Sequence, residues 1–242
     1  MNIAPWLVLL ASATGVVAGE PVVEAELHTH LTDAFVNPQT ATGLPRVLII
    51  GDSISIGYTA PVRLELKGIA DVFRPNENCQ HSGYVLAKLN AWLGGKKWDV
   101  IHFNCGIWDT HFLDAKGNLV RADDQILPPG VRIRHTPEQY RENLIKIVTR
   151  LQRTGAKLIW ASTTPVMRRK GERFEAIPTL NRVAAEVMQT NGVVVNDLYD
   201  YVLPHVKEWQ SPDQAHFNDK GNAELGKRVA QSIQQALPQR KN

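Results

Sequence analysis

The chain has 242 residues, 43% of them hydrophobic and 21% charged, with a formal net charge of +3. That balance suits one globular domain with its own apolar core, and it argues against a disordered or fibrous chain. The small positive charge, with no basic run longer than Arg168-Arg169-Lys170, reads as a solvated surface and gives no footprint for nucleic acid.

At the N-terminus, Trp6 to Val17 is apolar or small, and Val16-Val17-Ala18 precedes Gly19. This pattern predicts a cleaved export signal over residues 1–18. The stretch is short for a membrane span, and no later segment is apolar for longer. The mature protein is therefore expected to be secreted or periplasmic, without stable insertion in a membrane. Residues 19–44 form a mixed leader, and residues 45–238 form the domain.

RVLII, Arg46 to Ile50, is a β-branched run bounded by Pro45 and Gly51, which suits a strand buried on both faces. Pro61 to Ala70 is expected to be helical. Ala70–Phe73, Trp98–Asn104, Ala156–Ser162 and Gly192–Asn196 supply four more strands. Thr136-Pro137-Glu138-Gln139 is a strong helix start: a hydroxyl cap, proline at the first position and glutamine closing a capping box. Tyr140, Leu144, Ile147, Val148 and Leu151 then recur with a helical period, and Gly155 ends the run. Further helices are expected over Ile177–Thr190 and Lys220–Leu237. Strands alternating with helices predict a three-layer α/β/α domain around a five-stranded parallel sheet. Thr110 to His135 is a long irregular insertion, either a substrate-facing loop or decoration.

In such folds ligands bind beyond the carboxyl ends of the strands. The residues that follow each strand are thus the chemical candidates: Gly51-Asp52-Ser53, the Pro75-to-Gly83 loop, Cys105 to Asp109, Thr163 to Pro165, and Asp197. Ser53 follows the first strand at once, where N–H groups of a helix start can meet developing negative charge. A serine there is also an ordinary cap. Asp52 is expected to hydrogen-bond nearby backbone. Far down the chain, SPDQAHFNDKG places Asp213 three residues before His216, a spacing that lets a carboxylate hold one ring nitrogen while the other faces outward. Acyl transfer to a serine needs such a base. His81, His111 and Trp209 fall near the inferred crevice or its rim. Cys79 and Cys105 are too few for a disulfide framework, and their pairing stays open. No CxxC, HExxH or Cys/His cluster gives metal-ligand spacing, so no metal and no other cofactor is expected.

Taken together, GDSIS after the first strand, a glycine-bearing loop after the second, G-x-x-D after the third and DxxH before the last helix resemble the SGNH/GDSL hydrolases. The likeness runs from about Arg46 to Leu237. It implies a flavodoxin-like SGNH fold with Ser53 as nucleophile and Asp213 and His216 completing the triad. It also implies an oxyanion hole built from the Ser53 N–H, the Gly83 N–H and a side-chain amide. The third block departs from the family's GxND, because Gly106-Ile107-Trp108-Asp109 has Trp108 where the asparagine belongs. Asn104 or Trp108 is then the candidate for the third donor. Trp108 and His81 are also candidate substrate contacts. The resemblance implies a serine esterase acting through an acyl-enzyme on a small-molecule or polysaccharide ester, foremost an O-acetyl carbohydrate. The alternatives are an acyltransferase or a short-chain lipid or lysophospholipid esterase on the same scaffold, or a carbohydrate-binding protein without activity.

Overall fold

A computed structural model of the chain describes residues 33–39, 43–121, 127–168 and 175–237. The expected signal segment, residues 1–18, lies outside the described residues, as does most of the leader.

The described strands are β1 (Arg46–Ile50), β2 (Asp71–Phe73), β3 (Val100–Phe103), β4 (Phe112–Leu113), β5 (Arg132–Ile133), β6 (Lys157–Ala161) and β7 (Val194–Asn196). The helices are α1 (Ser53–Glu65), α2 (Ser82–Leu93), α3 (Pro137–Gln152), α4 (Ala176–Thr190), α5 (Tyr199–Val202), α6 (Val206–Trp209) and α7 (Asp219–Ala236). Five strands make one parallel sheet in the order β2-β1-β3-β6-β7, and β4 and β5 pair as a separate antiparallel ribbon. All five expected strands are present, each within two residues of its expected ends.

Alternation along β1 divides the core. Val47 and Ile49 join the cluster formed with α1 and α7, through Val62, Leu225, Val229 and Ile233. Leu48 and Ile50 join the cluster formed with α2, α3 and α4, through Leu89, Leu144, Ile147, Leu151 and Val187. A strand buried on both faces has no polar face to show, which is why RVLII is a continuous apolar run. The result is a single three-layer α/β/α domain.

The capping box at α3 forms as expected: the Thr136 hydroxyl accepts from the Gln139 N–H, and the Gln139 side chain accepts from the Thr136 N–H. Two expectations are corrected. The helix placed over Pro61–Ala70 instead runs from Ser53 to Glu65, with Pro61 inside it. The Pro61 ring faces Gly226 of α7, where a Cβ would lie 2.3 Å from the Pro61 Cβ. A Cβ on Gly57 would likewise lie 2.3 Å from Oδ1 of Asn222. Two glycines thus let α1 and α7 approach closely. The second correction is α2, which the sequence pattern did not reveal. Its N-cap is His81, whose Nδ1 accepts from the Tyr84 N–H, rather than a hydroxyl or a carboxylate.

Candidate active site

The close α1–α7 contact brings together two segments 163 residues apart. Ser53 is the first residue of α1, at the carboxyl end of β1. Asp52 caps that helix, its Oδ1 accepting from the Ile54 N–H at 3.0 Å. His216 lies in the turn before α7, with Nε2 2.8 Å from the Ser53 Oγ. Its Nδ1 lies 2.5 Å from Oδ2 of Asp213. The other carboxylate oxygen of Asp213 accepts from the backbone N–H groups of Ala215, at 3.1 Å, and His216, at 3.0 Å. The turn is closed by Gln214 at φ 62°, a left-handed conformation unusual for a side chain of that kind.

Burial works to raise the Asp213 pKa, but hydrogen bonds from the His216 ring and the Ala215 backbone, with the His216 charge, outweigh it. They hold the carboxyl well below the usual carboxylate range. An ionised Asp213 fixes the proton on Nδ1 and leaves the Nε2 lone pair toward the Ser53 hydroxyl. This is the hydrogen-bond order that lets a serine hydroxyl be deprotonated on attack.

Among the described residues, neither the Ser53 N–H nor the Gly83 N–H donates to a protein group. Both stand in the first turn of a helix, α1 and α2, where N–H groups are unpaired and favour negative charge. The two candidates for a third donor are placed differently. Asn104 follows β3, and its Nδ2 donates to the Ala161 carbonyl at 2.8 Å and to the Thr163 hydroxyl at 3.2 Å. Its amide thereby ties the ends of β3 and β6 together. Trp108 sits in a 3₁₀ turn, Ile107–Thr110, that follows Gly106. Its indole N–H has no hydrogen-bond partner among the described residues and is not among the sealed polar atoms left without one. Its ring lies 4.7 Å from that of His111. Gly106 is required here, since a Cβ would fall 2.0 Å from the Thr163 hydroxyl oxygen.

Asp109 of the third block and several residues that sequence reasoning missed complete the surroundings. Asp109 is fully buried. It accepts from the Ser82 N–H at 3.0 Å and the Ser82 hydroxyl at 2.5 Å, and its Oδ1 lies 2.6 Å from Nδ1 of His135. Asn143 of α3 donates to the same Ser82 oxygen at 3.0 Å. The β4–β5 ribbon within the Thr110–His135 insertion brings His135 there, with the His135 N–H donating to the Asp109 carbonyl. Behind Ser53, the buried Arg74 guanidinium donates to the Ser55 and Thr59 hydroxyls and to the Gly51 and Glu77 carbonyls. It clamps the strand end to the following loop. Nothing short of the three-dimensional pairing would have marked His135 or Arg74, since neither lies in a recognisable motif.

His81 lies beside Gly83, with Nδ1 3.2 Å from where a Cβ on that glycine would be. Trp209, by contrast, is a packing residue: it is buried, and its ring stacks on His205 with centroids 4.1 Å apart. Cys79 and Cys105 are both buried and unpaired. Among the described residues no group of His, Cys, Asp and Glu is arranged to hold a metal ion. None of their helices is long and apolar enough to cross a membrane.

A serine at the end of a parallel strand, hydrogen-bonded to a histidine held by an aspartate, on an α/β/α sandwich, defines the class of ester hydrolases built on parallel sheets. The chain belongs to the GDSL-like lipase/acylhydrolase family, whose model matches residues 49–224. No curated protein matches the sequence. Solved structures share the fold. A lipase/acylhydrolase from Enterococcus faecalis aligns with a TM-score of 0.66 at 21% identity, covering 82% of this chain and all of that one. An acetyl xylan esterase aligns at 0.60 and 16% identity, covering 78% of this chain and 99% of its own. A psychrotrophic esterase from a Pseudoalteromonas species aligns at 0.57 and 14%, covering 78% and 97%.

Proposed function

We propose that this ester hydrolase is an exported serine esterase that removes short acyl groups, O-acetyl first among them, from carbohydrate. The observation that carries the reading is the hydrogen-bonded chain from Asp213 through His216 to Ser53. Ser53 Oγ attacks the ester carbonyl as its proton passes to His216 Nε2. The tetrahedral intermediate collapses, the C–O bond to the alcohol breaks, and His216 returns the proton to the departing oxygen. Water, deprotonated by the same nitrogen, then attacks the acyl-enzyme and frees the acid and Ser53. Asp213 keeps the ring in one tautomer and balances its charge while it is protonated. The Ser53 and Gly83 N–H groups hold the oxyanion, and the Trp108 indole N–H is the third donor, the Asn104 amide being occupied by Ala161 and Thr163.

The carbohydrate ester is supported by the groups around the site. His81 and His135 stand beside Gly83 and His111 lies against the Trp108 indole, and these groups suit a polar alcohol better than a long acyl chain. One neighbour in fold is an acetyl xylan esterase, which fits the same choice. Export rests on the apolar segment within residues 1–18. The test is hydrolysis of nitrophenyl acetate and of acetylated polysaccharides, with Ser53→Ala and His216→Ala as blanks. The reading requires both variants to be silent on every substrate and the wild type to release acetate from polysaccharide. A Ser53→Ala enzyme that keeps full activity would sink it. Acetyl transfer to an added acceptor sugar in preference to water would make the enzyme a transferase with the same triad.

A further inference from the structure

Beside Gly83, at the start of α2, stand two histidines, His81 and His135, whose ring centroids are 5.2 Å apart. Both crowd Gly83: where its Cβ would be, His81 Nδ1 is 3.2 Å away and His135 Nε2 is 3.4 Å away. Each ring has one nitrogen committed to the protein and one that is not, and the commitments are opposite.

In His81, Nδ1 accepts from the Tyr84 N–H at 3.2 Å. The proton therefore sits on Nε2, which is a donor. Burial, then Arg134, push its pKa down to about 4, with Asp109 opposing and His135 adding to the fall. The ring is neutral at ordinary pH. In His135, Nδ1 faces Oδ1 of the buried Asp109, an acceptor already taking two hydrogen bonds from Ser82. Nδ1 must donate, which leaves Nε2 as the uncommitted nitrogen, an acceptor whenever the ring carries no charge. The His135 side chain is 18% exposed. Neither Nε2 has a hydrogen-bond partner among the described residues, and neither is among the sealed polar atoms.

We infer that His81 and His135 form a donor–acceptor pair that binds a hydroxyl-bearing alcohol part of the ester, such as a sugar with free hydroxyls beside the acylated one. A hydroxyl donates and accepts at once, and a vicinal pair can satisfy both nitrogens. A carboxylate or phosphate would meet one lone pair unfavourably, and an alkyl chain would leave both nitrogens unpaired, the costlier outcome. The same lone pair makes His135 unsuited to holding the oxyanion, although it lies beside an oxyanion donor. The two tautomers therefore assign these histidines to the alcohol and the Ser53–Gly83 N–H pair to the carbonyl oxygen. The inference rests on the serine-esterase reading above and adds the feature by which the enzyme selects its substrate.

The test uses variants that keep the structural bonds and delete the free nitrogen. In His135→Asn the amide can still donate to Asp109. In His81→Asn the carbonyl can still cap α2. Two substrates are compared with nitrophenyl acetate: a mono-O-acetyl methyl pyranoside with its other hydroxyls free, and the same compound with those hydroxyls methylated. The wild type should prefer the free-hydroxyl ester by at least about tenfold in kcat/KM. Each variant should lose roughly tenfold more on that ester than on nitrophenyl acetate, the loss expected for one hydrogen bond to substrate. The preference over the methylated ester should collapse with it. Equal losses on all three substrates would overturn the inference in favour of a structural or oxyanion role. So would a wild type that hydrolyses nitrophenyl acetate but is indifferent to the free hydroxyls, although the esterase reading would then stand. Full nitrophenyl acetate activity in Ser53→Ala would instead remove that reading and the inference with it.

Discussion

Replacing Asp213 by asparagine separates the chemistry of this site from its architecture. Asp213 has two jobs on two oxygens. Oδ1 takes the N–H groups of Ala215 and His216 and shapes the turn. Oδ2 takes the His216 Nδ1 at 2.5 Å and sets the tautomer. Asparagine retains an oxygen for the first job and offers an NH2 for the second. A donor facing Nδ1 drives the ring proton to Nε2, so the nitrogen nearest Ser53 becomes a donor and can no longer take the serine proton. In a Ser-His-Asp template that inversion costs kcat about 10⁴-fold, which is about 5.5 kcal/mol of transition-state stabilisation. The turn keeps two of its three bonds, so the expected fall in melting temperature is only a few degrees. Asp213→Ala should lose comparable activity and more stability, because the backbone N–H groups lose their acceptor as well. The assay is steady-state hydrolysis of nitrophenyl acetate near pH 8, beside calorimetric melting of each variant. An asparagine variant that keeps a tenth of wild-type kcat would refute the tautomer argument. A variant as destabilised as the alanine one would show that the turn, not the ring, had been tested.

Gly57→Ala should destabilise the fold by roughly 1–3 kcal/mol through overpacking, because the new Cβ would meet Asn222 Oδ1 at 2.3 Å. Asn222 holds the Phe217 carbonyl beside His216, so kcat should fall too; urea titration and the ester assay read both. Trp108→Phe should lower kcat about a hundredfold with little change in KM if the indole N–H steadies the oxyanion. A loss under threefold would leave the hole with its two backbone donors. Acid should unfold the protein early. Burial alone pushes the His102 pKa down to about 3, below its ordinary value of 6.5. Between those values the unfolded chain binds more protons, so stability is full above pH 6.5 and falls as pH drops toward 3. In His102→Gln the difference between urea midpoints at pH 7 and pH 4.5 should shrink. Midpoints that fall in parallel with wild type would count against this assignment.

The parts of the molecule legible in the sequence are those with a local cause. RVLII is apolar throughout because both faces of β1 are covered, and the Thr136 capping box is a four-residue device that works wherever it occurs. Ser53, Asp213 and His216 were legible because two short motifs flank an ordered series of strands and helices. What was illegible depends on a remote partner. α2 starts on a histidine cap, which carries no usual start signal, and the Pro61 ring inside α1 packs against α7 only because Gly226 stands opposite it. The role of Asn104 was open in the sequence, since a free amide and one bound to Ala161 look the same there. His135 stands at the end of an insertion with no regular pattern. Its value comes from the β4–β5 ribbon that returns it to Asp109.

The two Asp–His pairs are built on one plan and differ in what stands opposite the ring. In each, a carboxylate takes Nδ1 within 2.6 Å and also accepts from the backbone, two N–H groups at Asp213 and the Ser82 N–H at Asp109, so the imidazole is held in place. A buried carboxylate such as Asp109 is costly to desolvate and is kept only where hydrogen bonds offset the loss. Ser82 and His135 do so, but an apolar residue of the same size would serve packing alone with less penalty. The pair therefore calls for a reason beyond packing. For His216 that reason is visible, since the Ser53 hydroxyl lies 2.8 Å from Nε2. For His135 the described chain supplies no hydroxyl at Nε2. Among the described residues nothing completes the second pair, and under the proposal above a hydroxyl of the substrate does so.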